Sequence, residues 1–212
     1  MTINLKNLSS LSNELKYFNN SKLLIVTKNQ EISDIIHLIK MGYKYFGENR
    51  VQEAKVKYFD IIQQHKIKLD LIGPLQTNKV KTALEIFDTI QTIDREKLVD
   101  EITKLTKNLN SIRTKNYYLQ INIGEEDQKS GVNLNQVNKL YNYSINSGLN
   151  IVGLMCIPPN NKIASVYFKK MVEIRNTLNT ELKLSMGMSG DYLDALQNGS
   201  NIIRVGSLIF NE

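Results

Sequence analysis

The chain has 212 residues, 42% of them apolar, which allows one sizeable core and is short for two domains. No apolar stretch approaches the roughly 20 residues that span a bilayer, and a lone Cys156 makes no internal disulfide, which fits a reducing cytoplasm. The net charge is +6, but only five of the 27 basic residues are arginine and the lysines are scattered, so the charge draws none of the stripe that nucleic acid requires.

In chain order, Met1 to Ser10 lacks the charged-then-apolar pattern of a secretory leader, and residues 8–17 predict a helix. From residue 22 onward apolar runs alternate with helical periodicity. The runs predict strands at 22–27, 43–46, 69–72, 89–93, 117–123, 151–156, 183–186 and 202–205. Amphipathic patterns predict helices at 31–40, 51–64, 97–109, 134–146, 164–180 and 192–197, and Gln76-Thr77-Asn78-Lys79 opens another. Eight strands with seven intervening helices describe an α/β fold, a (β/α)8 barrel of the TIM type, with residues 1–212 as one domain. The helix before the first strand would close the seam left by a missing eighth helix. An open doubly wound sheet is the rival, because the same alternation generates both.

Barrels of this kind carry their chemistry where strands end. The first strand ends at Lys28, after Leu23-Leu24-Ile25-Val26-Thr27. Such a lysine either snorkels to the surface or is placed for reaction, and at a barrel mouth partial desolvation would make it nucleophilic toward a carbonyl. The seventh strand ends in Ser185-Met186-Gly187-Met188-Ser189. Backbone N–H groups in that turn would attract phosphate, Gly187 would let a ligand approach, and Ser189 adds a hydroxyl. Gly206-Ser207, after the eighth strand, supplies a second set of donors in the usual phosphate position of the fold. One amine opposite an anion cup is what a Schiff-base phosphate cofactor needs, and the pairing points to pyridoxal phosphate held covalently by Lys28. Arg204, if it faces the ring, would donate to the pyridine nitrogen and disfavour its protonation.

Other positions divide between site and scaffold. Asn49, in Gly47-Glu48-Asn49-Arg50, either reaches a ring substituent or opens a helix. Lys129-Ser130-Gly131 is a loop lysine or a solvated turn. His37 and His65 lie in helical patterns without partner residue types, and nothing has metal-ligand spacing. Cys156 has no basic neighbour in sequence and reads as packing.

The motifs, in this order, resemble the pyridoxal phosphate homeostasis family, which is related to the N-terminal domain of alanine racemases. The matching pieces are Leu23-Leu24-Ile25-Val26-Thr27-Lys28, Phe46-Gly47-Glu48-Asn49-Arg50-Val51-Gln52-Glu53 and Ile72-Gly73-Pro74-Leu75-Gln76-Thr77-Asn78-Lys79. Further on come Lys129-Ser130-Gly131, Gly153-Leu154-Met155, Ser185-Met186-Gly187-Met188-Ser189-Gly190-Asp191 and Arg204-Val205-Gly206-Ser207-Leu208-Ile209-Phe210. The resemblance implies that Lys28 carries the cofactor as an internal aldimine, that Ser189, Gly206 and Ser207 bind its phosphate, and that Arg204 faces its ring nitrogen. Asn49 and Met186 complete the expected cofactor-binding set, with no metal. Three features depart from the family's pattern. Leu69-Asp70 stands where tryptophan and histidine are common, Ser207 stands where threonine is usual, and the chain stops at Asn211-Glu212.

The expected function is a monomeric cytoplasmic carrier that buffers pyridoxal 5'-phosphate and delivers it to apo forms of enzymes that depend on it. This is vitamin B6 homeostasis without strong catalytic activity, and with neither a nucleic acid nor a membrane as partner. An amino-acid racemase is the alternative. In the resembling racemases the second acid/base group comes from a C-terminal β-domain, which this sequence is expected to lack. A class I aldolase-like enzyme would share both lysine and cup. Lys79 and Lys129 are the candidates for a secondary cofactor site.

Overall fold

The computed structural model describes residues 3–109, 111–160 and 163–210; the expected C-terminal stop at Asn211-Glu212 lies outside them. In chain order the elements are α1 (Leu5–Leu15), β1 (Lys22–Val26), α2 (Ile32–Lys40), β2 (Tyr45–Glu48), α3 (Val51–Tyr58), α4 (Ile61–Gln64), β3 (Lys68–Leu71), α5 (Val80–Ile86) and β4 (Thr89–Ile93). They continue as α6 (Glu96–Asn108), β5 (Asn116–Ile121), α7 (Val137–Asn146), β6 (Ile151–Cys156), α8 (Ala164–Leu178), β7 (Lys183–Ser185), α9 (Tyr192–Gln197), β8 (Ile202–Val205) and α10 (Ser207–Phe210). The eight strands are parallel, pair in sequence order and close into a barrel. Closure is direct: β1 and β8 pair from Lys22↔Ile202 to Ile25↔Val205, which excludes the open sheet.

Strand alternation divides the apolar residues between two cores. Leu24 and Val26 point into the barrel, where they meet Ile72, Tyr118, Met155 and Ile202. Ile25, Phe46, Leu71, Leu119, Leu154 and Ile203 point outward and join the helices in the larger core. Among the described residues no helix is long and apolar enough to cross a membrane.

Two elements differ from expectation. The helix predicted over 51–64 is interrupted at Phe59 and Asp60, giving α3 and α4. The eighth helix is not missing but is the single turn α10, too short for the sequence pattern to reveal. Its exposed carbonyls are taken by α1: Asn4 N–H donates to Ile209 O at 2.7 Å and Asn7 Nδ2 to Leu208 O at 2.9 Å. Leu8 and Leu11 of α1 are buried, so the first helix packs on the last and covers the closing seam as expected.

The β7–β8 seam is thin, with a single register pair, Ser185↔Ile202. Side chains stitch it. Ser200 Oγ donates to Met186 O at 2.7 Å, and Asn201 Oδ1 accepts from Leu184 N–H at 2.8 Å. Beyond it, Arg204 N–H donates to Gly187 O at 2.9 Å.

Candidate functional site

A cavity of about 390 Å³ opens at the C-terminal mouth of the barrel, within the size range of small-ligand sites. Lys28, Asn49, Ser189, Arg204, Gly206 and Ser207 all line it, brought together from the ends of β1, β2, β7 and β8. Val26, Ile72 and Ile157 form apolar walls. Met186 does not join them. It is fully buried in the core between barrel and helices, and Met188, two residues on, lines the cavity instead. The reason is strand parity: Ser185 faces inward, so its neighbour must face out.

Lys28 is exposed at the mouth, so the partial desolvation expected from sequence is not supplied by the surrounding chain. What the chain supplies is a fixed backbone on either side of Lys28. Lys57 of α3 donates to Thr27 O at 2.6 Å and pairs with Glu48 at 3.1 Å and Glu53 at 2.6 Å. Glu53 Oε1 accepts the Asn29 N–H at 2.6 Å, holding Asn29 in the left-handed region at φ 59°. Thr27 Oγ1 donates to Glu48 Oε1 at 2.8 Å and lies 2.7 Å from the Tyr58 hydroxyl. The lysine is thus flanked by two clamped residues. Sequence reading missed this clamp; the spacing of Glu53 and Lys57, one turn apart on α3, was its only trace.

The two clamp carboxylates are tuned oppositely. Burial pushes Glu48 above the ordinary value, against the pull of Lys57 and Thr27. Burial also pushes Glu53 upward, but the hydrogen bonds from Lys57 and the Asn29 amide, with the charges of Lys57 and Arg50, outweigh it and hold the carboxyl below the ordinary value.

Next to Lys28, at the ends of β7 and β8, lies a hydroxyl cup. Ser207 Oγ and Ser189 Oγ are 3.0 Å apart, and Leu208 N–H approaches Ser189 Oγ at 3.4 Å. The turn after β7 contributes less backbone than expected, because Met188 N–H is already donated to Asp191 Oδ1 at 2.6 Å. Gly187 also serves a different purpose from ligand approach. Its φ is +95°, and a Cβ there would lie 2.5 Å from Ala195 Cβ of α9, so the glycine lets the helix close on the strand.

Arg204 is 4% exposed. Its Nη1 donates to Ser185 Oγ at 2.9 Å and its Nη2 to Cys156 O at 2.8 Å. Burial presses the guanidinium below its ordinary pKa, opposed by Cys156, Asp191 and Tyr45, and arginine has ample margin to remain charged. Cys156 touches this arrangement through its carbonyl only. Its thiol is buried and pushed up to about 12, an inert packing group as expected. Lys79 and Lys129 stand apart from the cavity. Lys129 is engaged by Glu126 at 2.6 Å and by Pro158 O at 3.1 Å.

An amine on a clamped strand end, a buried guanidinium and a pair of hydroxyls around an apolar slot form a site for a flat, anionic, carbonyl-bearing ligand. Fold and site define a barrel of the alanine racemase type, and the chain belongs to the family of the alanine racemase N-terminal domain, which matches residues 3–212. Within it, the chain is similar to the pyridoxal phosphate homeostasis protein of Aquifex aeolicus, 36% identical over 203 residues that cover 92% of this chain and 88% of that protein. It is 38% identical to the protein of the same name from Pasteurella multocida, covering 89% of this chain and 85% of the relative. Among solved structures it is similar to PipY of Synechococcus elongatus PCC7942 with pyridoxal phosphate bound, at TM-score 0.84 and 28% identity, covering 97% of this chain and 98% of that one. An alanine racemase from Clostridium difficile 630 shares the fold at TM-score 0.71 and 14% identity, covering 97% of this chain and 56% of the racemase.

Proposed function

We propose that the protein binds pyridoxal 5'-phosphate at the mouth of the barrel and serves to hold and release it. The observation that carries this reading is the convergence of Lys28, Arg204 and the Ser189–Ser207 pair on one cavity with no carboxylate among its described lining residues. Pyridoxal phosphate supplies an aldehyde carbon that condenses with an amine, with loss of water, and a dianionic phosphate. Lys28 Nζ is the amine within this cavity, its backbone fixed by the Lys57 clamp. Ser189, Gly206 and Ser207 would take the phosphate, Asn49 a ring substituent, and Arg204 would present a fixed cation to the ring. Borohydride reduction followed by peptide mapping should place the pyridoxyl mass on Lys28. Finding it mainly on Lys79 or Lys129 overturns the assignment.

The carrier reading is favoured over the racemase by the chemistry of the lining. Apart from Lys28, the described residues that line the cavity are aliphatic, hydroxyl, amide or guanidinium groups and a methionine. None of these is a general acid or base near neutral pH, and racemisation benefits from such groups on both faces of the reacting carbon. The names of the relatives, homeostasis proteins, agree. One chain supplies every residue of the site, so a monomer suffices, and apo forms of pyridoxal-phosphate enzymes are the proposed recipients. Loaded protein incubated with single enantiomers of alanine and serine should leave their chirality unchanged over hours while reactivating such apo-enzymes. Rapid racemisation without transfer would reverse the reading.

A further inference from the structure

A line of buried polar side chains crosses the inside of the barrel and ends on Arg204. At its origin, Asp70 of β3 is fully buried, and its Oδ2 accepts from Tyr45 OH at 2.6 Å and from Gln91 Nε2 at 2.7 Å. Gln91 of β4 accepts through Oε1 from Ser185 Oγ of β7 at 2.6 Å. Ser185 Oγ accepts in turn from Arg204 Nη1 at 2.9 Å. Gln91 and Ser185 are both 0% exposed, so water does not compete for any of these bonds. Lys68, at the start of β3, stands 3.6 Å from Asp70 Oδ1 and 4.5 Å above the Tyr45 ring, with its side chain 43% exposed. The line therefore runs from a cation at the solvent edge of one barrel mouth to the guanidinium in the other.

Every bond in this line has its direction set by Asp70. Asp70 Oδ2 accepts from both of its neighbours, so Gln91 turns its NH₂ toward Asp70 and its carbonyl toward Ser185. The serine proton is then committed to Gln91, leaving a lone pair aimed at Arg204. If Gln91 turned over, Ser185 would receive two donors and its own proton would lack an acceptor, an expensive arrangement away from water.

Resting on the cofactor reading above, we propose that Asp70, relayed by Gln91 and Ser185, is the positioning residue that fixes the Arg204 guanidinium against the ring of pyridoxal phosphate. Asp70 touches neither cofactor nor cavity; it acts by orienting an amide, which orients a hydroxyl, which anchors an arginine.

The test compares wild type with Asp70→Leu, Ser185→Ala and the double variant, following pyridoxal phosphate titration of the apo-protein, the position and pH profile of the visible band, and thermal melting. Loss of one buried hydrogen bond to a charged group predicts roughly ten-fold weaker binding for each single variant, with a displaced band. The double variant should be hardly worse than either single one, although Asp70 and Ser185 are not hydrogen-bonded to each other, because both cut one line. Ser185→Thr keeps the hydroxyl and should restore the band. Ser189→Ala, at the phosphate cup, should weaken binding without moving it. Additive losses, or an unmoved band with unchanged affinity in folded variants, overturn the proposal. Should either single variant fail to fold, Gln91→Met cuts the line in the middle and the same unmoved band is decisive. A wild-type protein that shows no visible band on loading brings down the cofactor reading itself, and this proposal with it.

Discussion

On the proposed reading, Ser189 would carry much of the selectivity for a phosphate on one hydroxyl, which lies 3.0 Å from that of Ser207. Ser189→Ala removes a hydrogen bond to a charged group, about 1.5–3 kcal/mol, so affinity for pyridoxal phosphate should fall roughly 10–150-fold. Pyridoxal, which has no phosphate, should bind the variant and the wild type alike, and equal losses for both ligands would put the phosphate elsewhere. The clamp residues make a second residue-scale prediction. The carboxyl of Glu48 sits above the ordinary value of 4.5, so the stability it contributes is complete below that value and is lost as pH rises through its raised one. Glu53 is depressed, so its contribution is complete above 4.5 and disappears as pH falls through its lowered value. As pH rises from acid toward neutral, melting temperatures relative to wild type should therefore improve for Glu48→Gln and worsen for Glu53→Gln. Parallel trends in the two variants would contradict the geometry of the clamp.

At the scale of elements, the site depends on how closely the strand-end loops approach one another. A Cβ on Gly73, just after β3, would lie 2.2 Å from the backbone oxygen of Asn49 at the end of β2. Gly73→Ala must push Asn49 away, and overpacking of this kind costs about 1–3 kcal/mol. Weaker cofactor binding together with a lower melting temperature is expected, and a variant that binds normally would remove Asn49 from the site. This loop also shows what the sequence could and could not disclose. The strands of the barrel were readable where β-branched and apolar residues are bounded by turn residues, as in β4 and β6, whose bounds match expectation at both ends. β2 was expected over 43–46 but spans Tyr45–Glu48, because Gly47 and Glu48 look like a turn. Their pairing with Asp70 and Leu71, and the burial of Glu48 against Lys57, are tertiary facts with no local signature. The lysine, the arginine and the hydroxyl cup were legible because strand ends are readable and the fold places them on one rim. The burial of the Met186 side chain away from the cavity follows only once its side is counted from Ser185. The line from Asp70 to Arg204 went unseen, although Asp70, Gln91 and Ser185 each interrupt an apolar run, since only the closed barrel brings β3, β4 and β7 across one interior.

For the whole molecule, ligand linkage gives the clearest expectation. A ligand that binds only the folded state at about a hundred times its Kd stabilises it by about 2.7 kcal/mol, which for a chain of this size raises the melting temperature by roughly 5–10 °C. Pyridoxal phosphate should do this for wild type and much less for Lys28→Ala. The increase should be accompanied by slower amide exchange at the β7–β8 seam, where backbone pairing is thinnest and one half of the hydroxyl cup lies on each side. No protection there would mean that the ligand does not bridge the seam.

The direct pairing of β1 with β8 has one more consequence, and it concerns time. Lys28 leaves the ribosome long before the hydroxyl and guanidinium groups that answer it, which lie at and beyond β8. Until Arg204 and Ser207 have emerged and β8 has docked on β1, the nascent chain carries an amine with nothing opposite it. On the proposed reading, full cofactor capture therefore waits until translation has passed β8 and the barrel has closed.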